Sequence, residues 1–565
     1  MSDLKLSVND GRVRMSNANI QLVLNAEGKA DSLIFHGQEL LENLKGEKAY
    51  PDAQHTFYCD YHVKGKTVNV KPNKLVVIED STDRIHVAYI DDVSQLGGVA
   101  YHFILPAKDD AIYSYVKTWN NTQSMIKVDE FRTVYRLNHD LFYLEKNHER
   151  IGYQPTSAHM TAGSRIQDET YELDDGSLYS NSKIYSKYDY AGYFKENDFW
   201  GQFGHEYGFW FIPANRSYYD GGPLNQDLLL HYDGLILNYM ASSHLGKDQF
   251  KIPVGWSKVY GPWCLYLNEG KNKIKDAQIR AKKEQANWPY QWVNETGYFN
   301  EAVTIKGKIK INQQLPKDQL QLVLSQACPN NDFLKVQDGY SFDAVTNKQG
   351  DFVLEKVRPG NYVVYVYSIG GEIVGTYKLA DKQVTGESIQ DWGTLNWRIK
   401  ETKTIWQIGE STHTTAGFKF SDQLRNYIWQ DSVPANYDFE IGAADNDWYY
   451  LQNDHGVWKI TFAGQFIEKS SKDYELILAF AGETQKDMQD KKGITVRVAV
   501  NDREAQVKSF VNDKAAYRSA LRSGSYGLMK VKIARDSLKP NSENTIRIST
   551  NGYLLYDTLL LTEAD

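Results

Sequence analysis

The sequence predicts an all-β protein built from several domains. Short alternating runs of β-branched and aromatic residues, separated by Gly, Asn, Asp or Pro, recur along all 565 residues. Tyr and Trp, which favour strands, are abundant, at 39 and 13 residues. A chain of this length is too long for one hydrophobic core, and its length alone suggests about three or four domains.

Individual segments support the β assignment. Residues 130–142 alternate in polarity, and the run that leads into LNYMASSHLG at 237–246 is apolar enough for a buried strand. Within 351–367, one strand is expected to enter an Arg-Pro-Gly turn and return as a second strand. Further strands are predicted at VTIKGKIKI (303–311), YVVYVY (362–367) and VRVAV (496–500).

One clear helix interrupts this pattern, at 272–288. Ile274, Ala277 and Ala281 recur at helical spacing, and a proline follows as a breaker. We place the end of a first domain after this helix. Turn signals at the spacing of a sandwich fill a second block, and strands of the jelly-roll type fill a third. The predicted domains are residues 1–297, 298–400 and 401–565.

Composition narrows the range of functions. A net charge of −8 opposes general binding to nucleic acid or anionic membranes, so an anionic polymer would need a local basic patch. No apolar run reaches about 18 residues, and no membrane helix is predicted. Cys59, Cys264 and Cys328 form neither a disulfide framework nor a metal-ligand set. The many Tyr and Trp faces, which stack on sugar rings, favour a protein that handles carbohydrate.

Three groups of segments follow one another in an informative order. SKYDYAGYF (186–194) is followed by FWGQFG, GFWFIP, GGPLNQDLLLH and NYMASSH. KVYGPWCLYLN and DAQIRAKKEQANWPYQWV come next, and then VRPGNYVVYVYSIGGEIVGTY, GTLNW and IWQIGESTHTTAGFKF. One such motif would be weak evidence, but this many in one order is specific. Over almost its whole length the chain resembles polysaccharide lyase family 4, the rhamnogalacturonan endolyases.

The resemblance implies both an architecture and an activity. A large galactose-mutarotase-like β-sandwich would precede a fibronectin-III-like sandwich and a C-terminal jelly-roll domain similar to carbohydrate-binding modules. The activity would be cleavage of the rhamnose-α-1,4-galacturonate bond of rhamnogalacturonan I by β-elimination, which leaves a 4,5-unsaturated galacturonate. We expect a secreted monomer, although MSDLKLSVNDGRVRMS lacks the apolar segment of a signal peptide and leaves intracellular action on imported fragments open.

Elimination from such a substrate sets three chemical tasks. The enzyme must neutralise the carboxylate, remove the barely acidic proton on C5 and protonate the departing O4. In the galacturonate chair, the C5 hydrogen and O4 are both axial and point to opposite faces, so the base and the acid are expected on opposite sides of the ring. The resemblance assigns these two roles to a lysine and a histidine, which fall on Lys187 and His244.

Lys187 lies in SKYDY, where a strand would place Lys187 and Asp189 on one face. A lysine base must be neutral, so we expect burial or a nearby positive charge to lower its pKa. Contact with Asp189 would raise that pKa, and no such contact is expected. Without the resemblance, a solvated strand lysine would be the simpler interpretation.

His244 follows its predicted strand directly. An unperturbed histidine has a pKa of about 6.5, near the operating pH, which suits a proton donor. Ser242 and Ser243 are small, so we expect His244 to be displayed beside a groove that admits a sugar chain. His231, which closes GGPLNQDLLLH, is the alternative acid and is more simply interpreted as a structural histidine.

Neutralisation of the carboxylate is assigned to arginine. Strand alternation places Arg132 and Arg136 on one face, and an arginine fork holds a carboxylate without a metal ion. One of them could instead pair with Glu130 or Asp140, so the two arginines form a joint prediction.

Three further residues complete the predicted substrate site. Tyr239, on the strand that leads to His244, is a candidate for hydrogen bonding to the substrate. Gly221 and Gly222 allow backbone to approach a ligand closely, although most Gly-Gly-Pro turns bind nothing. No cofactor or catalytic metal is predicted, because the sequence has no calcium-loop spacing, HExxH motif or cysteine pairs. A structural calcium ion held by scattered oxygens remains open.

Two other functions fit the same scaffold. A glycoside hydrolase would need two facing carboxyl groups, and the third possibility is a non-catalytic polysaccharide-binding protein. Acidic residues are plentiful but none lies in a recognisable motif, whereas Lys187 and His244 both lie in recognisable motifs. The lyase is therefore the preferred hypothesis.

Overall fold

The computed structural model describes residues 4–41, 55–312, 319–326, 331–444, 446–467, 472–486 and 493–564. Backbone contacts divide the chain into two units. The first comprises Met1–Ser243, Gln249–Asn300 and Gln337–Tyr340. The second comprises His244–Asp248, Glu301–Val336 and Ser341–Asp565.

Three antiparallel sheets form most of the first unit. The first sheet contains, in chain order, β1 (Lys5–Asn9), β2 (Arg12–Ser16), β3 (Ile20–Leu24), β4 (Ala30–Phe35) and β5 (Gln38–Glu39). The third, which we call the site sheet, contains β6 (Tyr58–Val63), β7 (Lys66–Asn69), β13 (Glu130–Arg136), β23 (Leu230–His231) and β24 (Leu235–Ser242). Its strand order is β23-β24-β13-β6-β7.

The second sheet has nine strands. They are β8 (Lys74–Asp80), β9 (Arg84–Asp91), β10 (Gly98–Pro106), β11 (Ala111–Trp119), β14 (Leu144–Lys146), β15 (Ile151–Tyr153), β20 (Trp200–Phe203), β21 (Tyr207–Ile212) and β26 (Ser257–Glu269). Their order is β15-β14-β20-β21-β26-β11-β10-β9-β8. One hydrophobic core takes alternate residues from all three sheets, for example Tyr101 and Phe103 of the nine-stranded sheet and Phe131 of the site sheet.

Smaller elements complete the first unit. Strands β12 (Ile126–Val128) and β25 (Phe250–Ile252) pair, as do β19 (Ala191–Tyr193) and β22 (Gln226–Leu228). Strands β16 (Ser164–Gln167), β17 (Thr170–Glu172) and β18 (Ile184–Ser186) form a three-stranded sheet. The helices are α1 (Ser157–Ala162) and α2 (Lys273–Asn287). Helix α2 confirms the predicted helix, and Ala277 and Ala281 are fully buried in a second cluster with Trp210 of β21.

The described residues of the second unit form four sheets. Two are formed by β27 (Val303–Ile311), β30 (Asp351–Val357) and β33 (Ile389–Trp397), and by β28 (Leu320–Ser325), β29 (Phe342–Val345), β31 (Gly360–Ser368) and β32 (Tyr377–Val384). The third contains β34 (Thr404–Gly409), β36 (Leu451–Gln452), β38 (Tyr474–Thr484), β41 (Gly527–Ile533) and β43 (Tyr553–Glu563). The fourth contains β35 (Tyr437–Glu440), β37 (Trp458–Phe462), β39 (Ile494–Val500), β40 (Arg503–Phe510) and β42 (Asn544–Thr550). A short helix, α3 (Ile428–Asp431), lies between β34 and β35.

The predicted all-β class is confirmed, with one local correction. The strands on either side of the Arg-Pro-Gly turn exist, but β30 pairs with β27 whereas β31 pairs with β28 and β32. The turn therefore carries the chain from one sheet to another, because each strand finds its partners elsewhere in the sequence. The three predicted domain ranges stay predictions. Among the described residues, no helix is long and apolar enough to cross a membrane.

Candidate active site

Strand β13 presents its charged side chains on one face of the site sheet. Phe131 and Tyr135 lie in the core of the first unit. Since successive strand residues point to opposite faces, Arg132 and Arg136 lie on the other face, as the sequence pattern predicts.

Arg132 is already neutralised within the protein. Its Nε donates to Asp60 Oδ1 at 2.8 Å and its Nη2 to Asp60 Oδ2 at 3.1 Å, which is a two-pronged ion pair. Its Nη1 donates to the Tyr239 hydroxyl at 2.7 Å, and Glu130 Oε2 lies 3.7 Å from the same nitrogen. Asp60 and Tyr239 are the register partners of Arg132 on β6 and β24. Asp60 is thus the main partner of Arg132, and Glu130, one of the two partners that the sequence suggested, adds a second, longer ion pair.

Arg136 has a different environment. Its side chain is buried, and its Nε and Nη1 have no hydrogen-bond partner in the part of the chain that the structure describes. Its register partner on β24 is Leu235, which is in turn opposite His231 on β23. Opposed residues share a face, so Arg136 and His231 lie on one face, two strands or about 10 Å apart. A buried guanidinium with free N–H groups is suited to an anion such as a carboxylate.

Lys187 lies in a turn and not in a strand. Strand β18 ends at Ser186, whose backbone N–H donates to Asp189 Oδ2 at 3.2 Å and whose hydroxyl accepts from the Tyr188 N–H at 3.2 Å. These local side-chain bonds replace strand pairing, which corrects the predicted facing pattern. Asp189 Oδ2 lies 3.6 Å from Arg150 Nη1, and the expected lack of contact between Lys187 and Asp189 stays a prediction.

Two carboxylates hold Lys187 in its charged form. Asp168 and Glu169 form the two-residue turn between β16 and β17, and both reach the lysine. Nζ is ion-paired with Glu169 Oε2 and lies 3.5 Å from Asp168 Oδ2. Burial would lower the pKa of Lys187, but Tyr188, Glu169 and Asp168 outweigh it and raise that pKa above its ordinary value. The expectation of a lowered pKa is therefore wrong.

Glu169 connects Lys187 to His231. Its Oε2 lies 3.6 Å from His231 Nε2, and its Oε1 accepts from the Tyr232 hydroxyl at 3.1 Å. Burial alone would raise the pKa of Glu169, but His231 and Lys187 hold it well below its ordinary value. Neither Asp168 nor Glu169 was identified from the sequence. The adjacent acidic pair was visible, but nothing local indicated that a hairpin turn would place it against Lys187.

His244 lies just after β24, in the second unit, whereas Lys187 belongs to the first. Its side chain is only 5% exposed, and Ser242 and Ser243 are also buried. This burial does not agree with the expectation of a displayed histidine. Its role as acid stays a prediction.

The two glycines serve the backbone of a turn. Gly221 and Gly222 have φ values of +72° and +66°, which other residues rarely adopt. The Gly221 N–H donates to Asp220 Oδ1 at 3.1 Å, and the Asn225 side chain closes the turn on the backbone oxygens of Tyr219 and Asp220. This turn accounts for both glycines, and their contact with a substrate stays a prediction.

No metal site is evident in the ranges that the structure describes. There, no group of three His, Cys, Asp or Glu residues is arranged to hold an ion. Cys59 and Cys264 are buried and free. Cys328 lies outside the described residues.

The protein thus carries, on one face of the site sheet, a buried arginine suited to an acidic ligand and a histidine that belongs to a lysine–carboxylate–histidine network. A rhamnogalacturonate lyase of Dickeya dadantii (strain 3937) is 33% identical over 565 residues, which cover 99% of this chain and 95% of that protein. Rhamnogalacturonate lyase B of Emericella nidulans is 24% identical over 375 residues, 59% of this chain and 56% of its own. A family model described as CBM-like, polysaccharide lyase family 4, domain III matches residues 404–561. The chain belongs to the rhamnogalacturonate lyases of polysaccharide lyase family 4.

Proposed function

We propose that this protein cleaves the rhamnose–galacturonate bond of rhamnogalacturonan I by β-elimination. The observation that carries the proposal is the buried Arg136 guanidinium with unpaired N–H groups, on the same sheet face as His231 and its Glu169–Lys187 network. Membership of a family of rhamnogalacturonate lyases supports the substrate class. We propose that the protein is a secreted monomer.

Arg136 is the proposed partner of the galacturonate carboxylate. When the C5 proton leaves, negative charge spreads onto the carboxylate oxygens, and a guanidinium already in place stabilises that charge. Arg132 cannot do this without losing Asp60. The proposed role of Arg132 is to hold the Tyr239 hydroxyl in place on the site sheet.

Lys187 is the proposed base and His244 the proposed acid. Lys187 must first lose the proton that Glu169 and Asp168 hold on it. His231 is a poor candidate for the acid, because it approaches the same Glu169 oxygen as Lys187 and so lies on the side of the base. Elimination from galacturonate requires the acid on the opposite face of the ring. His231 is therefore assigned to the Lys187 network, and His244 keeps the role of acid.

A glycoside hydrolase is the less favoured function. The carboxylates next to Lys187 are both engaged, Asp168 by the Tyr188 hydroxyl at 2.7 Å and Glu169 by Lys187 and Tyr232. Elimination creates a C4–C5 double bond conjugated to the carboxylate, which absorbs ultraviolet light. Incubation with rhamnogalacturonan should therefore increase ultraviolet absorbance in step with new reducing ends. New reducing ends without absorbance would identify a hydrolase, and neither signal would leave only binding.

We expect Arg136→Ala to impair catalysis directly, and Arg132→Ala to act mainly on stability. Removing the free guanidinium leaves the substrate carboxylate unpaired, so kcat/KM should fall by about 10²-fold or more. Arg136→Lys should recover only part, because an ammonium cannot form the two-pronged pair. Arg132→Ala leaves Asp60 buried without its partner, so it should lower the thermal unfolding temperature. Equal kcat/KM for Arg136→Ala and wild type would contradict the assignment.

We propose that catalysis needs no metal ion. If arginine neutralises the carboxylate, an excess of chelator should leave the elimination rate largely unchanged. The initial rate of ultraviolet absorbance, measured with and without chelator, is the readout, and the thermal unfolding temperature reports separately on a structural calcium ion. Loss of rate that calcium restores, at an unchanged unfolding temperature, would overturn the proposal.

A further inference from the structure

The loop that carries His244 is fixed through the backbone of Gly246. The Gly246 N–H donates to the Asp513 carbonyl at 2.9 Å, and its carbonyl accepts from Lys335 Nζ at 2.9 Å. All of these residues belong to the second unit. Both polar groups of one loop residue are thus held by segments about ninety or more positions away in the sequence.

Lys335 is the centre of this anchor. It ends a 3₁₀ turn, Phe333–Lys335, and its side chain is 13% exposed. Besides the Gly246 carbonyl, Nζ contacts Asp248 Oδ1 at 3.0 Å and Ser525 Oγ at 3.3 Å. Burial would lower the pKa of Lys335, but Asp332 and Asp248 outweigh it and raise that pKa, so the ammonium stays charged. One cation therefore holds the far end of the His244–Asp248 segment at two points.

The loop conformation is also sterically determined. Leu245 is fully buried with φ of +46°, and Gly246 has φ of +95°. A Cβ on Gly246 would come within 2.6 Å of the Gly524 carbonyl carbon and 2.9 Å of Leu334 Cδ2. Residues in sparsely populated backbone regions persist only where their surroundings hold them there. The anchor therefore supports a backbone conformation that a free loop would not keep.

We propose that Lys335 is a positioning residue for His244. This rests on the proposed function, in which His244 protonates O4. A general acid works only within hydrogen-bond reach of the leaving oxygen. A misplacement of about 1 Å costs on the order of 10²-fold in rate, and the anchor prevents such a shift at the residue two positions after His244.

The test is a double-mutant cycle between Lys335→Met and His244→Ala, with kcat and KM measured from the ultraviolet signal. Methionine keeps most of the lysine volume but removes the cation. Lys335→Met should lower kcat by about 10- to 100-fold with KM changed less than about threefold. Lys335→Arg should restore part of kcat. In the His244→Ala background, Lys335→Met should cause almost no further loss, because there is no acid left to position.

A matched control is Lys530→Met, because Lys530 is also ion-paired in the second unit, with Glu475 at 3.1 Å, yet it lies on β41 away from the anchor. It should leave kcat unchanged. Should Lys335→Met unfold the protein, Ser525→Ala removes one contact of Nζ and should lower kcat in the same manner but less.

Three outcomes would overturn the inference. One is a normal kcat in folded Lys335→Met while His244→Ala is impaired, which leaves the proposed function intact. A second is an equal kcat loss from Lys335→Met with and without His244. The third is a normal kcat in His244→Ala, which removes the acid assignment and the inference together, whereas the wild-type ultraviolet signal still reports on the lyase activity.

Discussion

Lys187→Ala should lower kcat on rhamnogalacturonan by about 10² to 10⁴-fold, with a much smaller change in KM. The Lys187 side chain stabilises mainly the transition state, so its removal should lower kcat. Lys183→Ala is the matched control, because Lys183 lies four positions earlier in the same segment with an exposed side chain. It should behave as the wild type. A folded Lys187→Ala protein with near-normal kcat would show that another group removes the C5 proton.

The carboxylates around Lys187 determine how the rate of elimination depends on pH. The productive form has neutral Lys187 and a protonated acid, yet the pKa of Lys187 is raised above its ordinary value. The pair therefore gives a bell-shaped profile in which the productive form is a minor fraction, and the alkaline limb follows the pKa of Lys187. Glu169→Gln removes one negative charge and so lowers that pKa. The alkaline limb of Glu169→Gln should therefore move to lower pH. In Lys187→Ala, the residual activity should lack the rising limb.

An unmoved alkaline limb in Glu169→Gln would contradict the link between the two side chains. The thermal unfolding temperature of this variant is a necessary control, because Glu169 also contacts His231 and Tyr232. A change in stability without a shift of the limb would assign Glu169 a purely structural role.

His244→Ala should also lower kcat by about 10² to 10⁴-fold, and its falling limb should disappear, so that the residual rate keeps rising towards alkaline pH. Water is the expected replacement donor, because the Tyr239 hydroxyl accepts from Arg132 at 2.7 Å and donates to Glu130 Oε2 at 3.4 Å. The loss should be smaller than for Lys187→Ala, because a departing oxygen accepts a proton from water more readily than water removes one from C5.

His231→Ala separates the two candidate acids. Because His231 neighbours Glu169, its replacement should shift the falling, alkaline limb of the pH profile without abolishing it. If His231→Ala loses the falling limb while His244→Ala keeps both limbs and a near-normal kcat, the roles are reversed and His231 is the acid.

Periodicity in the sequence was sufficient for the strands and for which face of a strand each residue occupies. The alternation along 130–136 placed Arg132 and Arg136 on one face, and the structure agrees, with Phe131 and Tyr135 in the core on the other face. The helix of Lys273–Asn287 followed from its spacing and from the proline beyond it. The order of motifs along the chain was sufficient for the family.

Errors arose where local side-chain bonds or distant partners decide the outcome. SKYDY alternates like a strand, but Asp189 and Ser186 bond to nearby backbone and turn the chain at Lys187. The two strands at the Arg-Pro-Gly turn were identified, but their partners lie elsewhere in the sequence. Periodicity contains no information about which strands pair.

The sequence by itself determined the β architecture, the family and the residue types available for elimination chemistry. Only the tertiary structure decided how those residues are charged and held. Asp60, 72 positions from Arg132, neutralises one arginine, while Arg136 on the same strand keeps free N–H groups. Tyr188, Glu169 and Asp168 reverse the expected direction of the Lys187 pKa shift. The physical reason is that a pKa and an ion pair depend on distances of a few ångströms between segments, and spacing along the chain does not fix those distances.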